Sequence, residues 1–316
     1  MSSWHTYPQI FNLGHRAVSE LTWHPLLVEE KVDGSQFSFM VDMSAMGAFD
    51  NTLRVRSKNR EMDPEAPESL FTEALETVKS LVPKLHMGWT YRAEYLKKPK
   101  HNTLAYSRVP KGHLIIFDIN TGEEGYLSYE EKALEATRLG LECVPLLMFG
   151  RVGLEDFKEL LQRESILGGQ LIEGVVLKPQ GYNLWGQDKK VLMGKHVSEA
   201  YKETHRQVWK VDKRGDVIQK LTDELRTPAR WAKAVQAMRD AGGDVSEVRA
   251  IGQLIKEIQH DIAKEEKDYI KDKLWEIFGK GILKGAIRGF PEWFKKQLLE
   301  AQFEGDQDEQ VSIPSN

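Results

Sequence analysis

Cysteine is nearly absent from the 316-residue sequence: Cys143 is the only one, which rules out an internal disulfide and any cysteine-based zinc knuckle. The nine histidines include no H-E-x-x-H and no other metal-ligand spacing. No apolar run reaches the roughly 18 residues that a membrane-spanning helix needs. The opening MSSWHTYPQIFNLGH lacks the basic head and apolar middle of a secretory signal. There is no phosphate-binding G-x-x-x-x-G-K-[ST], because neither Gly194-Lys195 nor Lys280 has the upstream glycine at the required distance. Repeats and low-complexity tracts are missing too. A cytoplasmic location is therefore expected, for a cellular protein or for a phage protein acting in its host's cytoplasm.

What remains is an ordinary globular composition, 41% hydrophobic and 29% charged, long enough for one large domain or two smaller ones. A net charge of −4 argues against indiscriminate nucleic-acid binding through an all-over positive coat, but it leaves room for a local basic groove. Such an excess of lysine and arginine runs from Arg206 to Lys233.

Up to about residue 195 short runs rich in β-branched and aromatic residues predict strands: LLVEEKV, SQFSFMV, LRVRS, GWTYRAEYL, HLIIFDI, ECVPLLMF and LIEGVVLK. PESLFTEALETVKSLV, SYEEKALEATRLG and LEDFKELLQRES carry helical spacing. Strands and helices do not alternate regularly, so an α+β fold with antiparallel sheets is expected rather than a doubly wound one. After about residue 205 the pattern turns helical. Thr227 and Pro228 mark a helix start, Gly242-Gly243 its stop, and a long helical stretch from Asp244 should end or bend near Gly279 and Gly281. Pro291 should open a last helix. The boundary is expected in KVDKRGD, Lys210 to Asp216, dividing the chain into 1–212 and 213–316.

The stretch VEEKVDGSQFSF places Lys31 two residues before an Asp-Gly pair. Alone, this is compatible with an exposed lysine before a hairpin. A lysine amine is a poor nucleophile while protonated, and nearby cations or desolvation would free its lone pair. Gly34 would let the backbone turn close to a substrate, and Asp33 would brace the turn through main-chain amides.

The fragments that follow in order give Lys31 its context: RSK (Arg56 to Lys58), RAE (Arg92 to Glu94), IIFDI (Ile115 to Ile119), EGVVLKP (Glu173 to Pro179) and VLMGKH (Val191 to His196). This ordered set resembles the six collinear motifs of the covalent nucleotidyltransferases, the ATP-dependent DNA ligases, RNA ligases and capping enzymes. Within them it looks most like RNA ligases of the RNA ligase 2 type. Lys31 lies near the start of the sequence, KPKHNTLAYSRVPKGH follows the RAE motif, and the last hundred residues look helical where the other groups carry a small β-barrel.

The resemblance implies a nucleotidyltransferase fold followed by an all-helical C-terminal domain, and a ligase using ATP with Mg²⁺ or Mn²⁺. Lys31 would attack the α-phosphorus, and Lys195 and Lys178 would neutralise the phosphate and depress the Lys31 pKa. Phe117 would stack on adenine, Glu94 would bind the ribose, and Glu173 would hold the metal. Arg56 would contact ribose or phosphate, with Glu30 and Gln36 also lining the nucleotide site. Lys58, Arg206 and Lys210 would contact RNA. The partner implied is RNA with 5′-phosphate and 3′-hydroxyl ends, duplex or nicked, and the protein would act as a monomer. A DNA or broad-specificity ligase, and an RNA-binding module without turnover, are the alternatives. Two departures stand out: Met193 occupies the first lysine position of the last motif, where Lys189 or Lys190 would have to compensate, and Gln36 replaces an expected Asn.

Overall fold

The structure, a computed structural model, describes residues 2–43, 51–66, 69–186, 188–198 and 217–298. The chain begins with a short strand β1 (Ile10–Asn12) and continues through β2 (Leu26–Lys31), β3 (Ser35–Met43), β4 (Asn51–Ser57) and β5 (Glu61–Met62). Helix α1 (Thr72–Leu81) precedes β6 (Thr90–Tyr95) and β7 (Leu114–Asn120), and α2 (Tyr129–Leu139) precedes β8 (Glu142–Cys143) and β9 (Leu146–Gly150). Helix α3 (Leu154–Leu160), β10 (Gly174–Pro179) and β11 (Met193–Val197) follow.

Two sheets result. One has five strands in the order β1-β11-β10-β2-β9, the other six in the order β5-β4-β3-β6-β7-β8. Pairing is antiparallel except at β1/β11 and β7/β8, so the expected α+β class with mostly antiparallel sheets is what the chain adopts.

Alternation along the strands gives each sheet two unlike faces. In the six-stranded sheet Phe37, Phe39, Tyr91, Ala93 and Ile116 pack in an apolar core with Leu75 and Val78 of α1 and Leu139 of α2. The residues between them, Gln36, Ser38, Arg92 and Glu94, lie on the opposite, polar face. In the five-stranded sheet Leu26, Val28, Val175 and Leu177 bury against Phe157 and Leu160 of α3, leaving Glu29, Lys31 and Lys178 on the other side. The two polar faces meet: Lys178 Nζ of β10 lies 3.0 Å from Asp118 of β7. An apolar core therefore backs each sheet, and ionisable groups are concentrated between them.

Local signals explain several boundaries. Ser128 caps α2 in a reciprocal capping box with Glu131. ECVPLLMF, expected as one strand, is two. Pro145 supplies no N–H for a ladder, and the chain leaves the six-stranded sheet at Cys143 to join the five-stranded one at Leu146.

Beyond residue 217 the described residues form helices and turns with no strand: α4 (Val217–Leu225), α5 (Pro228–Asp240), α6 (Ile251–Glu265), α7 (Lys267–Ala286) and helical residues at 290–298. Thr227 caps α5 by accepting from the Arg230 amide, with Pro228 in its first turn. The expected stop near Gly279 and Gly281 is not observed. Helix α7 runs through both to Ala286, and the interruption falls at Glu266 instead. Glycine lowers helix propensity by about 1 kcal/mol, which a twenty-residue helix can carry.

The described residues separate into two compact units. One holds the sheets together with 224–261, and the other holds 217–223 and 262–298. Helix α5 thus belongs with the sheets. The expected boundary at Lys210 to Asp216, and with it the division at 212/213, lies outside the described residues.

Candidate active site

Lys31 ends β2, where strand register places it opposite Gly174 of β10. A side chain at Gly174 would collide with the Val197 backbone of β11, 2.8 Å from an added Cβ, so glycine is what lets three strands close up at this point. Glu173, immediately before, turns its carboxylate onto the lysine: Lys31 Nζ donates to Glu173 Oε2 at 2.6 Å. The pair is partly accessible, with 27% of the lysine side chain and 12% of the glutamate exposed.

The electrostatics around Lys31 differ from the expected ring of cations. Burial alone would pull its pKa down, but Glu173, then Glu94 and Asp33, outweigh it, and the amine is held above its ordinary value. Carboxylates, not lysines, are its nearest company, so in this state Lys31 is an ammonium ion. Glu173 in turn is raised by burial and drawn down by Lys31 and Lys195. That places Lys195 of β11 within electrostatic reach of the same carboxylate.

Glu94 of β6 completes the group. Burial, opposed by Lys31 and reinforced by Asp240, Glu173 and Asp33, pushes its pKa up to about 8. Its Oε2 is buried without a hydrogen-bond partner. A buried carboxylate oxygen left in this way calls for a donor from outside the chain, since desolvation costs are otherwise uncompensated. Gly34 abuts it: an added Cβ would lie 2.8 Å from the Tyr95 carbonyl and 3.2 Å from Glu94 Oε2. Asp33 does brace main-chain amides, but those of Thr103 and Leu104 (2.8 Å each) rather than of its own turn.

Phe117 owes its position to a β-bulge. The register between β6 and β7 passes from Arg92↔Asp118 to Ala93↔Ile116 and skips it. It is the only residue of β7 that is not buried, and its ring makes a T-shaped contact with that of Tyr7, centroids 5.1 Å apart. Its carbonyl, free of the ladder, accepts from Lys132 Nζ at 2.8 Å and from Lys178 Nζ at 2.7 Å.

Lys178, expected against a phosphate, is enclosed elsewhere. It is 1% exposed and bonded to Glu29 at 2.7 Å as well as to the Phe117 carbonyl. Lys132 takes the other oxygen of Glu29, and Asp118 accepts from Tyr7 and Tyr182 beside both lysines. The strand pattern sets Lys178 on the polar face but says nothing of which carboxylates wait there.

Other expected residues are placed as follows. Glu30 points away from Lys31, as alternation requires, and its carboxylate is buried against Ser165 Oγ and the Ile166 amide. Gln36 sits opposite Glu94 across the β3/β6 ladder. Arg56 donates to Thr6 Oγ1 at 3.0 Å and lies over the Trp4 ring, its guanidinium 5.8 Å from the centroid. Met193 is fully buried, its sulfur 3.0 Å from the Tyr7 hydroxyl. Lys190 reaches the Thr6 carbonyl at 3.4 Å, and therefore approaches Arg56 through their common neighbour. Lys58 is exposed and acts electrostatically on Asp240. Arg206 and Lys210 lie outside the described residues. Among the described residues no group of three His, Cys, Asp or Glu is arranged to hold a metal alone. A metal would rest on Glu173 and take its remaining ligands from phosphate and water, the usual habit of Mg²⁺.

The sequence pattern of the RNA ligase family matches residues 24–197, a span that includes Lys31, Glu94, Phe117, Glu173 and Lys195. The chain belongs to the RNA ligase family. Solved structures similar to it include a variant of Naegleria gruberi RNA ligase with ATP and Mn (TM-score 0.46, 15% identity, covering 64% of this chain and 57% of that one). The same enzyme with PPi gives a TM-score of 0.45 at 16% identity, covering 64% and 58%, and another variant with AMP and Mn gives 0.44 at 17%, covering 62% and 56%. The chain thus spans less than two thirds of the length of these relatives. No curated protein matches. No described helix is long and apolar enough to cross a membrane.

Proposed function

We propose that this RNA ligase family member joins a 3′-hydroxyl to a 5′-phosphate through a lysyl-AMP intermediate on Lys31. The observation that carries the reading is the Lys31–Glu173 contact of 2.6 Å, set beside a buried carboxylate oxygen of Glu94 that has no partner. Lys31 Nζ sheds its proton, forms a bond to the α-phosphorus of ATP, and pyrophosphate leaves. AMP then passes to the 5′-phosphate of an RNA end, and a neighbouring 3′-hydroxyl displaces it. All three steps are phosphoryl transfers governed by positioning and charge.

In this reading Glu173 holds a divalent cation, Mg²⁺ or Mn²⁺, which when bound supplies positive charge beside the reacting phosphate. Engaging Glu173 in that way removes the partner that now keeps Lys31 protonated. Lys195 offers its charge to the α-phosphate, and Glu94 accepts from a ribose hydroxyl. Phe117 presents its open face to the adenine, and Arg56 contacts ribose or phosphate. Lys178 works at one remove, fixing the carbonyl of Phe117 together with Lys132. The substrate is a nick in duplex RNA or an RNA-containing hybrid, whose A-form minor groove exposes 2′-hydroxyls. Residues 1–212 act as the adenylyltransferase and 213–316 as a helical region gripping RNA, in a monomer working in the cytoplasm.

Incubation with α-labelled ATP and Mg²⁺ tests this directly. Acid-labile label should appear on the intact chain, much less with GTP, and not on Lys31→Ala. Label that survives this substitution, or an intact chain that takes none, would end the proposal. Nicks in RNA, DNA and hybrid duplexes then separate an RNA ligase from a broad one, because equal rates with a deoxyribose 3′ end would favour the latter.

A further inference from the structure

The turn that carries Lys31 is held from two directions. On one side the segment 101–106 grips it: Asp33 accepts from the Thr103 and Leu104 amides, the Asp33 amide donates to the Tyr106 hydroxyl at 2.8 Å, and Asn102 Nδ2 donates to the Gly34 carbonyl at 2.8 Å. On the other side is α5, some two hundred residues away in sequence. Ser35 Oγ donates to Asp240 Oδ1 at 2.7 Å, and Gln236 Nε2 donates to Ser35 Oγ at 2.6 Å. His101 joins the two. Its Nδ1 accepts from the Lys97 amide, so Nε2 carries the proton and donates to Ser35 Oγ at 2.9 Å. Burial holds this imidazole neutral, near a pKa of about 4.

Ser35 and Asp240 are 1% and 7% exposed. Asp240 meets Ser35 and Gln236 directly and feels the charges of Lys58 and Arg239, yet a buried carboxylate remains an expensive way to fasten a helix. The expense registers as a carboxyl pushed up to about 6 by burial, against the pull of Ser35, Gln236, Lys58 and Arg239. An apolar contact would secure α5 at lower cost, so the arrangement fits a positional role better than a merely cohesive one. What it positions follows from contiguity. Ser35 adjoins Gly34 in the turn that follows Lys31, and a Cβ added at Gly34 would lie only 2.8 Å from the Tyr95 carbonyl, so the turn has little room to shift.

We propose that Asp240 and Gln236 of α5 are positioning residues for nucleotidyl transfer, setting the Lys31 turn through Ser35 so that docking of this helix is required for efficient adenylylation. The inference rests on the lysyl-AMP reading above. The step affected is the one in which the Lys31 Nζ–phosphorus bond forms, the bond from phosphorus to the pyrophosphate oxygen breaks, and the amine's proton is lost. Asp240 touches none of these atoms.

The test compares Asp240→Ala, Ser35→Ala, their double variant and Asp240→Asn in the full chain, by single-turnover labelling with saturating α-labelled ATP and Mg²⁺. A displaced nucleophile should slow labelling by between about tenfold and a hundredfold in each alanine variant. The double variant should be no slower than the worse single one, since both break one linkage. Asp240→Asn keeps an acceptor oxygen and should recover most of the rate. Sealing of a nick supplied with a preformed 5′-5′ pyrophosphate-linked AMP needs no covalent work by Lys31 and should remain within about twofold in folded Asp240→Ala, where proper positioning of the lysine no longer matters. Unchanged labelling in Asp240→Ala overturns the proposal, as do multiplicative losses in the double variant or a parallel loss of preadenylated-nick sealing. An intact chain that takes no label at all removes the ligase reading, and this inference with it.

Discussion

Two clusters of lysine and carboxylate lie between the sheets, built from the same side-chain types and put to opposite ends. Around Glu29 and Asp118 two ammonium groups, Lys132 and Lys178, balance two carboxylates, and the Phe117 carbonyl, Tyr7 and Tyr182 occupy the remaining positions. All four ionised side chains are at most 1% exposed. Around Lys31 the balance is uneven: Glu173, Glu94 and Asp33 all act on one ammonium, a carboxylate oxygen is unpartnered, and the pair reaches solvent. A closed and neutral cluster is structural because nothing can be added to it. An open, anion-rich one is suited to receive a cation and a ligand with hydroxyl donors. Charge balance and satisfaction, more than residue type, tell the two apart.

That contrast can be broken by substitution. The largest effect should come from Lys31→Ala, which removes the proposed nucleophile and should leave no measurable acid-labile label. Its unfolding free energy should fall only modestly, because the pair is 27% and 12% exposed and water can reach the carboxylate left behind. Lys178→Met should do the reverse. Leaving Glu29 and Asp118 short of a cation should cost about 3–5 kcal/mol of stability in denaturant unfolding. A stability loss from Lys31→Ala as large as that from Lys178→Met would erase the distinction between the clusters.

Phe117→Ala should raise the ATP concentration needed for half-maximal labelling by roughly tenfold, the size expected for losing one aromatic stack of about 1–3 kcal/mol. The fold should persist, since the bulge is held through the main-chain carbonyl. The smallest effect concerns pH. The Glu94 carboxyl, raised to about 8, binds a proton in the folded state that the unfolded chain has already released. Its contribution therefore favours folding at low pH and weakens as pH rises from the ordinary carboxylate range through about 8. Glu94→Gln should flatten the stability curve in that window. An unchanged slope in thermal unfolding from pH 5 to 8 would show that Glu94 is ionised throughout.

Much of the site was visible as sequence because its groups sit at strand ends and bulges, where order along the chain survives folding. Lys31 before Asp-Gly, Glu173 before Gly174 and Lys195 in β11 converge because β2, β10 and β11 are neighbours. Lys132 and Glu29 carried no such mark. Lysine within SYEEKALEATRLG looks solvated, and it is buried only because α2 packs where Glu29 and the Phe117 carbonyl need a cation. Asp118 stood beside Phe117 in a quoted motif, yet its partners Tyr7 and Tyr182 are more than sixty residues away on either side. The charge environment of Lys31 is hidden from the sequence for the same reason. The pattern supplied cations and carboxylates without saying which stand next to the amine.

Alternating apolar residues, capping signals and ordered motifs determined by themselves the α+β class and the helical region after residue 217, and they singled out Lys31 as the candidate nucleophile. These depend on chemistry within a few residues of each other. Tertiary structure alone decided which lysine is sealed and which is exposed to a ligand, and it brought α5 against Ser35. Burial and pairing are set by groups that meet only when distant strands and helices close together.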